Sequence, residues 1–191
     1  MADIPRDQAK TINLGLFYGM GKAKLQAELG VSKDKADELF SIYHQRVPFV
    51  KTLMKSVSNR AQQRGQIRTL LGRLCRFHLW EPNRFGINKA LPFEQAVQEH
   101  GQGNIRRAYT YKALNKLIQG SAADMTKKSM LDLYKEGIIA HIQIHDELDL
   151  SVESPEQAKK VVEIMENAVK LDVPNKVDYE SGKNWGDIYD K

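Results

Sequence analysis

Two groups of side chains have the types and spacing to do chemistry. Near the N-terminus Arg6, Lys10, Leu14 and Tyr18 follow at four-residue intervals, with Gly19 behind them. On a helix each such step turns the side chain by about 40°, so the four drift through about 120° of one face. Two cations with an apolar side chain and an aromatic ring beyond them suit a nucleoside triphosphate: fixed charge lies over the phosphates, and a flat or apolar surface holds sugar and base. An Arg/Lys pair at this spacing is also the ordinary pattern of a solvated helix face. The second group is His145-Asp146-Glu147. A carboxylate on a rigid turn can face a divalent cation, and magnesium takes hard oxygen ligands, usually one or two carboxylates plus substrate phosphates. In two-metal phosphoryl transfer one ion activates the attacking hydroxyl and the other steadies the leaving oxygen. The plain alternative is an acidic turn. His141 and His145 share a strand face, but a histidine pair without a third ligand reads as structural, which sets zinc aside.

The elements that must position these groups follow from local pattern. Residues 6–19 read as a helix with Ala9, Ile12 and Leu16 as its apolar stripe and Pro5 at its start. Ser32 is a helix N-cap with Asp34 in the first turn, and Ala36, Leu39, Phe40, Tyr43 and Val47 share one face. Pro48 should kink or split this helix. The pattern resumes with Val50, Leu53, Met54, Val57 and Ala61, and Gly65 is placed to end it. Residues 66–77, with Arg64, Arg68, Arg73 and Arg76 clustered, predict a basic hairpin around Leu71-Gly72. Residues 78–104 predict a loop-rich excursion with one short helix near 93–100. Helical patterning over 105–134 (Leu114, Leu117, Ile118, Ala122, Met125, Leu131) stops at Gly137. Residues 138–152 alternate on both sides of His145-Asp146-Glu147, which predicts two strands and a tight turn. Ser154-Pro155-Glu156-Gln157 is a capping box opening a helix with Val161, Val162, Met165 and Val169 inward. Residues 173–179 offer a last strand, and Trp185 should pack the tail down.

Composition narrows the class. With 191 residues, 41% hydrophobic and 28% charged, the chain fits one ordinary globular domain. Its apolar runs are far shorter than the roughly 20 residues of a membrane span. The first residues carry charge and no apolar run of the signal-peptide kind, which predicts an intracellular chain. The single cysteine, Cys75, excludes an internal disulfide and a multi-cysteine zinc site. A net charge of +5 suits a polyanionic partner without proving one.

Arg6-x3-Lys10-x7-Tyr18-Gly19, followed well downstream by an apolar strand ending in His145-Asp146-Glu147, resembles the family A DNA polymerases, the bacterial DNA polymerase I and phage replicase group. Asn115-x3-Gln119-Gly120-Ser121-Ala122-Ala123-Asp124 is similar to the family's helix at the primer–template minor groove, and Ser181-Gly182-Lys183-Asn184-Trp185 to its C-terminus. The resemblance runs in order over residues 6–185. It implies an α+β chain: a helical fingers subdomain over residues 1–107, with the 78–104 excursion as a phage-type insertion, and the C-terminal half of an antiparallel-sheet palm over 108–191. It implies that the first helix closes over an incoming dNTP, that Arg6 and Lys10 contact its phosphates, and that Tyr18 and Gly19 lie near the nascent base pair. Asp146 is then a Mg2+ ligand, Glu147 its acidic neighbour and His145 a contact near the primer 3′ end. Asn115 and Gln119 read the degenerate minor-groove edge. Arg64, Arg68, Arg73, Arg76, Arg106 and Arg107 are candidate contacts to the DNA backbone, or else surface charge. Primer–template DNA and dNTP are the implied partners, and the cytoplasm of a bacterium or phage-infected cell the implied place.

Three departures from the family pattern shape the expectation. Leu14 stands where the best-known members carry phenylalanine or tyrosine facing the nucleotide sugar. Tyr111 stands one helical turn before Asn115, where bacterial members often carry arginine. No strand with a first catalytic aspartate precedes Arg6, since Asp3 and Asp7 lie in the wrong context. The expectation is a chain inactive alone, either half of a split polymerase that joins a second polypeptide or a fragment of a longer product. A single-subunit RNA polymerase also pairs a Lys-to-Tyr-Gly helix with a His-Asp turn, but Glu147 and the Gln119–Asp124 run look like the DNA enzyme. A non-catalytic nucleic-acid-binding module and, more weakly, a His-Asp phosphohydrolase are the other readings.

Overall fold

A computed structural model of the chain describes residues 6–84, 86, 88–184 and 186–189. The expectations for Asp3, Pro5 and Trp185 lie outside the described residues. The chain forms two compact units, Met1–Gln119 and Gly120–Lys191, and the division falls within one long helix.

The first unit opens with four helices: α1 (Arg6–Phe17), α2 (Lys22–Leu29), α3 (Lys33–Arg46) and α4 (Pro48–Arg64). Their boundaries have local causes. The Ser32 hydroxyl accepts from the Lys35 N–H and caps α3. Pro48 cannot continue α3 but fits the first turn of α4, so the chain splits there as predicted. Gly65 ends α4 at φ +68°. Sequence pattern did not show α2, an eight-residue helix whose buried anchor is Leu25. Ile12 and Leu16 of α1 meet Leu25 together with Leu39, Phe40 and Tyr43 of α3, which forms one small core. A second core joins Val57 and Ala61 of α4 to Ile67, Phe77, Ala113 and Leu114.

The basic hairpin is present: β1 (Gln66–Arg68) pairs antiparallel with β2 (Leu74–Arg76), Ile67 facing Cys75. The 78–104 excursion is pinned at its base by a ladder that its sequence did not reveal. There β3 (Trp80–Pro82) pairs antiparallel with β4 (Ile105–Arg107), and Trp80 also bridges Leu91. The predicted short helix is α5 (Phe93–His100), with Phe93 against the Trp80 ring at 5.1 Å. Residues 105–107 are therefore strand, which corrects the helix expected from 105. Ile105, Arg106 and Arg107 find backbone partners in Pro82, Glu81 and Trp80, 23, 25 and 27 residues earlier in sequence, and Arg106 faces Glu81 across the ladder at 2.9 Å. The long helix, α6, spans Ala113–Lys135.

In the second unit Leu133 of α6 packs with Ile138 and Val161, joined by Leu148, Leu150, Ile164 and Met165. Gly137, at φ +76°, follows the helix end. The predicted hairpin is β5 (Ile142–Ile144) with β6 (Glu147–Asp149), and α7 (Pro155–Asn167) follows. The Ser154 hydroxyl accepts from Gln157 N–H, while Gln157 Oε1 accepts from the N–H of Glu153, one residue earlier than the standard box. A one-turn helix, α8 (Gly186–Tyr189), lies near the C-terminus. The strand expected over 173–179 is not formed. Val173 is 67% exposed, and the Val177 N–H donates to the Glu166 carboxylate instead of to a ladder.

Candidate functional site

The amphipathic character of α1 separates its chemistry from its packing. Ile12 and Leu16 are buried, while Arg6, Lys10 and Leu14 are exposed, Leu14 to 48%. One helical turn, about 6 Å of rise, separates the two cations. The helix closes through Tyr18 N–H to Leu14 C=O at 3.0 Å and Met20 N–H to Gly15 C=O at 2.8 Å. Tyr18 lies in the closing turn, half-buried, with its ring edge-on to Phe17 at 5.5 Å. Gly19 adopts φ +86°, and a Cβ there would stand 3.3 Å from Cε of Met54. The left-handed backbone calls for glycine, while the flexible end of Met54 need give only a few tenths of an ångström to admit a Cβ.

Within the second unit the β5–β6 register leaves His145 and Asp146 as a two-residue turn. His145 has φ +52°, a conformation uncommon outside glycine although histidine visits it more than most residues. Its carbonyl accepts from Gln143 Nε2 at 2.6 Å, which helps hold the turn. Leu148 and Leu150 anchor the hairpin in the core, and His145, Asp146 and Glu147 are all exposed at its tip. His141 bonds Ser151 Oγ at 3.2 Å. Among the described residues no group of three or more His, Cys, Asp or Glu is close enough to hold a metal ion. Asp146 fits magnesium as one exposed, hard oxygen donor, so this chain's described residues offer part of such a site.

The proposed DNA contacts divide by environment. Asn115 lies in the first turn of α6, and its Oδ1 is buried without a hydrogen-bond partner; Gln119, one turn on, is exposed. Tyr111 is 66% exposed, in a short 3-10 turn before α6 rather than on it. Arg73 is exposed at the β1–β2 turn, whose backbone is tied by Thr69 Oγ1 accepting from Arg73 N–H at 3.0 Å. Arg68 donates to Gly72 C=O at 2.9 Å within the same turn. Arg64 and Arg76 are exposed. Arg107 is turned inward: it donates to Phe77 C=O at 2.9 Å and lies 4.5 Å over the Trp80 ring. That packing argues against Arg107 as a contact to DNA phosphate. Gln62 had no signal in the sequence. Oriented by its hydrogen bonds, its amide accepts from Arg107 N–H at 2.9 Å and donates to Arg107 C=O at 3.2 Å, clamping β4 onto α4.

Comparison with known proteins identifies the family. Residues 1–187 match the family model for DNA polymerase family A. The chain is 33% identical to a DNA-directed DNA polymerase of Pseudomonas phage M6, over 97% of this chain and 30% of the phage protein. It is 37% identical to DNA polymerase I of Bacillus caldotenax, over 95% of this chain and 20% of that enzyme. The chain thus spans a fifth to a third of the length of these relatives. A solved structure of the POL domain of Pol1 from M. smegmatis, in complex with DNA primer-template and dNTP, superposes with a TM-score of 0.68 at 29% identity, covering 91% of this chain and 29% of that one. With nearly every residue inside the family match, and with the α1 cations and the His-Asp turn both exposed on ordered elements, this chain belongs to DNA polymerase family A.

Proposed function

We propose that this chain binds the incoming dNTP and primer–template DNA and contributes one metal-binding carboxylate to DNA-templated DNA synthesis. The observation that carries the reading is the division of α1 into a buried apolar stripe and an exposed Arg6–Lys10 face, within a chain of this family. Arg6 and Lys10 hold the triphosphate, and Lys10 offsets charge on the phosphates as pyrophosphate departs. Leu14 lies against the sugar, and Tyr18 and Gly19 border the base pair. The primer 3′-hydroxyl oxygen forms a bond to the α-phosphorus, the bond from the α-phosphorus to the oxygen it shares with the β-phosphate breaks to release pyrophosphate, and the hydroxyl proton passes to solvent water. Magnesium, when bound, lowers the cost of charge on the attacking and leaving oxygens. Asp146 fixes its position, Glu147 adds negative charge beside it, and His145 orients the primer end. Asn115 and Gln119 engage the minor groove, and Tyr111 and Arg73 the strands beside it.

The remaining metal ligands and the thumb lie, on this reading, outside the described residues, on a second polypeptide or on a longer product of which this chain is a part. Primer extension with dNTP and Mg2+ tests this, using the chain alone and mixed with a polypeptide carrying a family A thumb and first-aspartate strand. Extension only in the mixture is expected, abolished by Asp146→Asn and lowered about 10²–10³-fold in kcat/KM for dNTP by Lys10→Ala. Extension by the chain alone, or an Asp146→Asn mixture that still extends, would overturn it.

A further inference from the structure

The turn that ends α1 is closed twice by its own backbone. Gly19 N–H donates to Leu16 C=O at 3.1 Å and Met20 N–H to Gly15 C=O at 2.8 Å, with Gly19 at φ +86°. This is the glycine-terminated helix end in which the second residue past the cap lays an apolar side chain back on the last turn. Here that side chain is Met20, and the residue beneath it is Gly15. A Cβ at position 15 would stand 2.3 Å from Met20 Cε, 3.0 Å from its Sδ and 3.5 Å from its Cβ, so the Met20 methyl fills the space where a side chain would begin. Gly15 lies within the helix, with no positive φ to call for glycine. What calls for it is the seat it gives Met20.

Met20 also packs against the small core of Ile12, Leu16 and Leu25, so one flexible thioether ties the turn both to its own helix and to the body beneath. Met54 of α4 approaches the same turn, its Cε 3.3 Å from the place of a Cβ on Gly19. The cap residue that these contacts fix is Tyr18. Its N–H donates to Leu14 C=O at 3.0 Å, and the bend follows at once in Gly19. Its ring meets Phe17, a neighbour on the same turn, at 5.5 Å, so where the ring stands follows from how the turn is closed.

We infer that Met20, seated on Gly15, is a positioning residue for Tyr18 and, through it, a determinant of selection between matched and mismatched nucleotides. The role in selection rests on the polymerase reading above; the seating does not. Two measurements separate them. Amide hydrogen-exchange protection at position 20 in the 191-residue chain reads the closing bond to Gly15 C=O. It should fall in Met20→Ala, where the side chain is gone, and in Gly15→Ala, where the new methyl displaces it. Primer extension by the chain mixed with a polypeptide carrying a family A thumb and first-aspartate strand reads selection. Both variants should lower the ratio of matched to mismatched kcat/KM on the order of tenfold, because a well-placed ring favours the matched transition state over the mismatched one. Gly15→Ala is the stricter test. Alanine is the better helix former, so a merely structural role for position 15 has the substitution leave selection untouched or improve it. In a Met20→Ala background the seat is already empty, and Gly15→Ala should then change selection no further. Protection at position 20 unmoved by either variant would overturn the seating. Lost protection with unchanged selection, or losses that multiply in the double variant, would overturn the role in selection. A parent mixture that extends no primer would sink the polymerase reading and the role in selection with it, while protection at position 20 still decides the seating.

Discussion

Replacing Gly65 by alanine should cost the first unit about 3 kcal/mol, in a way that depends on Arg107. Gly65 sits at φ +68°, where a side chain adds about 1–2 kcal/mol of backbone strain. A Cβ there would stand 2.6 Å from Cζ and 2.8–2.9 Å from the two terminal nitrogens of Arg107, closer than any real contact. The guanidinium must leave, and with it go the charge-assisted bond to Phe77 C=O, about 1.5–3 kcal/mol, and the stack on Trp80, about 0.5–1 kcal/mol. Rehydration of the freed cation offsets part of that loss, and the Arg107 Nε, buried without a partner, loses nothing by moving. Urea unfolding read by Trp80 fluorescence in a Trp185→Phe background measures it, since these are the only two tryptophans. In an Arg107→Ala background the clash is absent, and Gly65→Ala should then cost only the backbone share, about 1 kcal/mol. The difference between backgrounds, about 2 kcal/mol, is the coupling between the two positions. Equal costs in both backgrounds would refute the claim that the glycine exists to let Arg107 seat between α4 and Trp80.

Two further predictions concern the nucleotide face and the second unit. Leu14→Tyr, at a position 48% exposed and therefore able to take a larger ring, should raise the ratio of dideoxy- to deoxynucleotide incorporation by the assembled enzyme; an unchanged ratio in gel-resolved primer extension would remove Leu14 from the sugar site. The hydrogen bond from Lys160, then its charge, holds the Glu136 carboxyl below its usual value of 4.5. A depressed folded-state pKa means stability fully present above about 4.5 and lost as pH falls through the lower folded value, so Lys160→Met should flatten the acid limb of the unfolding midpoint between those values. An acid limb as steep as in the parent chain would show that this pair carries none of the dependence.

Much of the local structure was legible because its causes are local. Ser32, Pro48, Gly65 and Ser154 each act on backbone within four residues, and all four boundaries lie where the sequence puts them. The hairpin carrying Asp146 was legible because alternation flanks a two-residue turn. What local pattern missed has a common cause. Residues 105–107 carry an apolar and basic run that continues a helical pattern, and only the ladder to residues 80–82 makes them strand. The 173–179 run has strand composition, but a strand needs a ladder partner, and its Val177 N–H meets the Glu166 side chain instead. The eight-residue α2 has too thin an apolar stripe to announce itself, and Leu25 is held by neighbours from α1 and α3.

The sequence by itself determined which side chains could carry chemistry and on what elements: cations four apart on α1, a carboxylate at a hairpin tip, and the family these motifs resemble. Side-chain type and spacing along the chain suffice for that. Only the tertiary structure decided which arginines face solvent and which are spent on packing. Arg107 and Arg106 are adjacent and chemically alike, yet one stacks over Trp80 beneath Gly65 and the other pairs with Glu81 across the β3–β4 ladder. The β3–β4 ladder, too, has no sequence signature: residues 80–82 and 105–107 pair 23 to 27 positions apart, and Gln62 of α4 clamps the second of these strands.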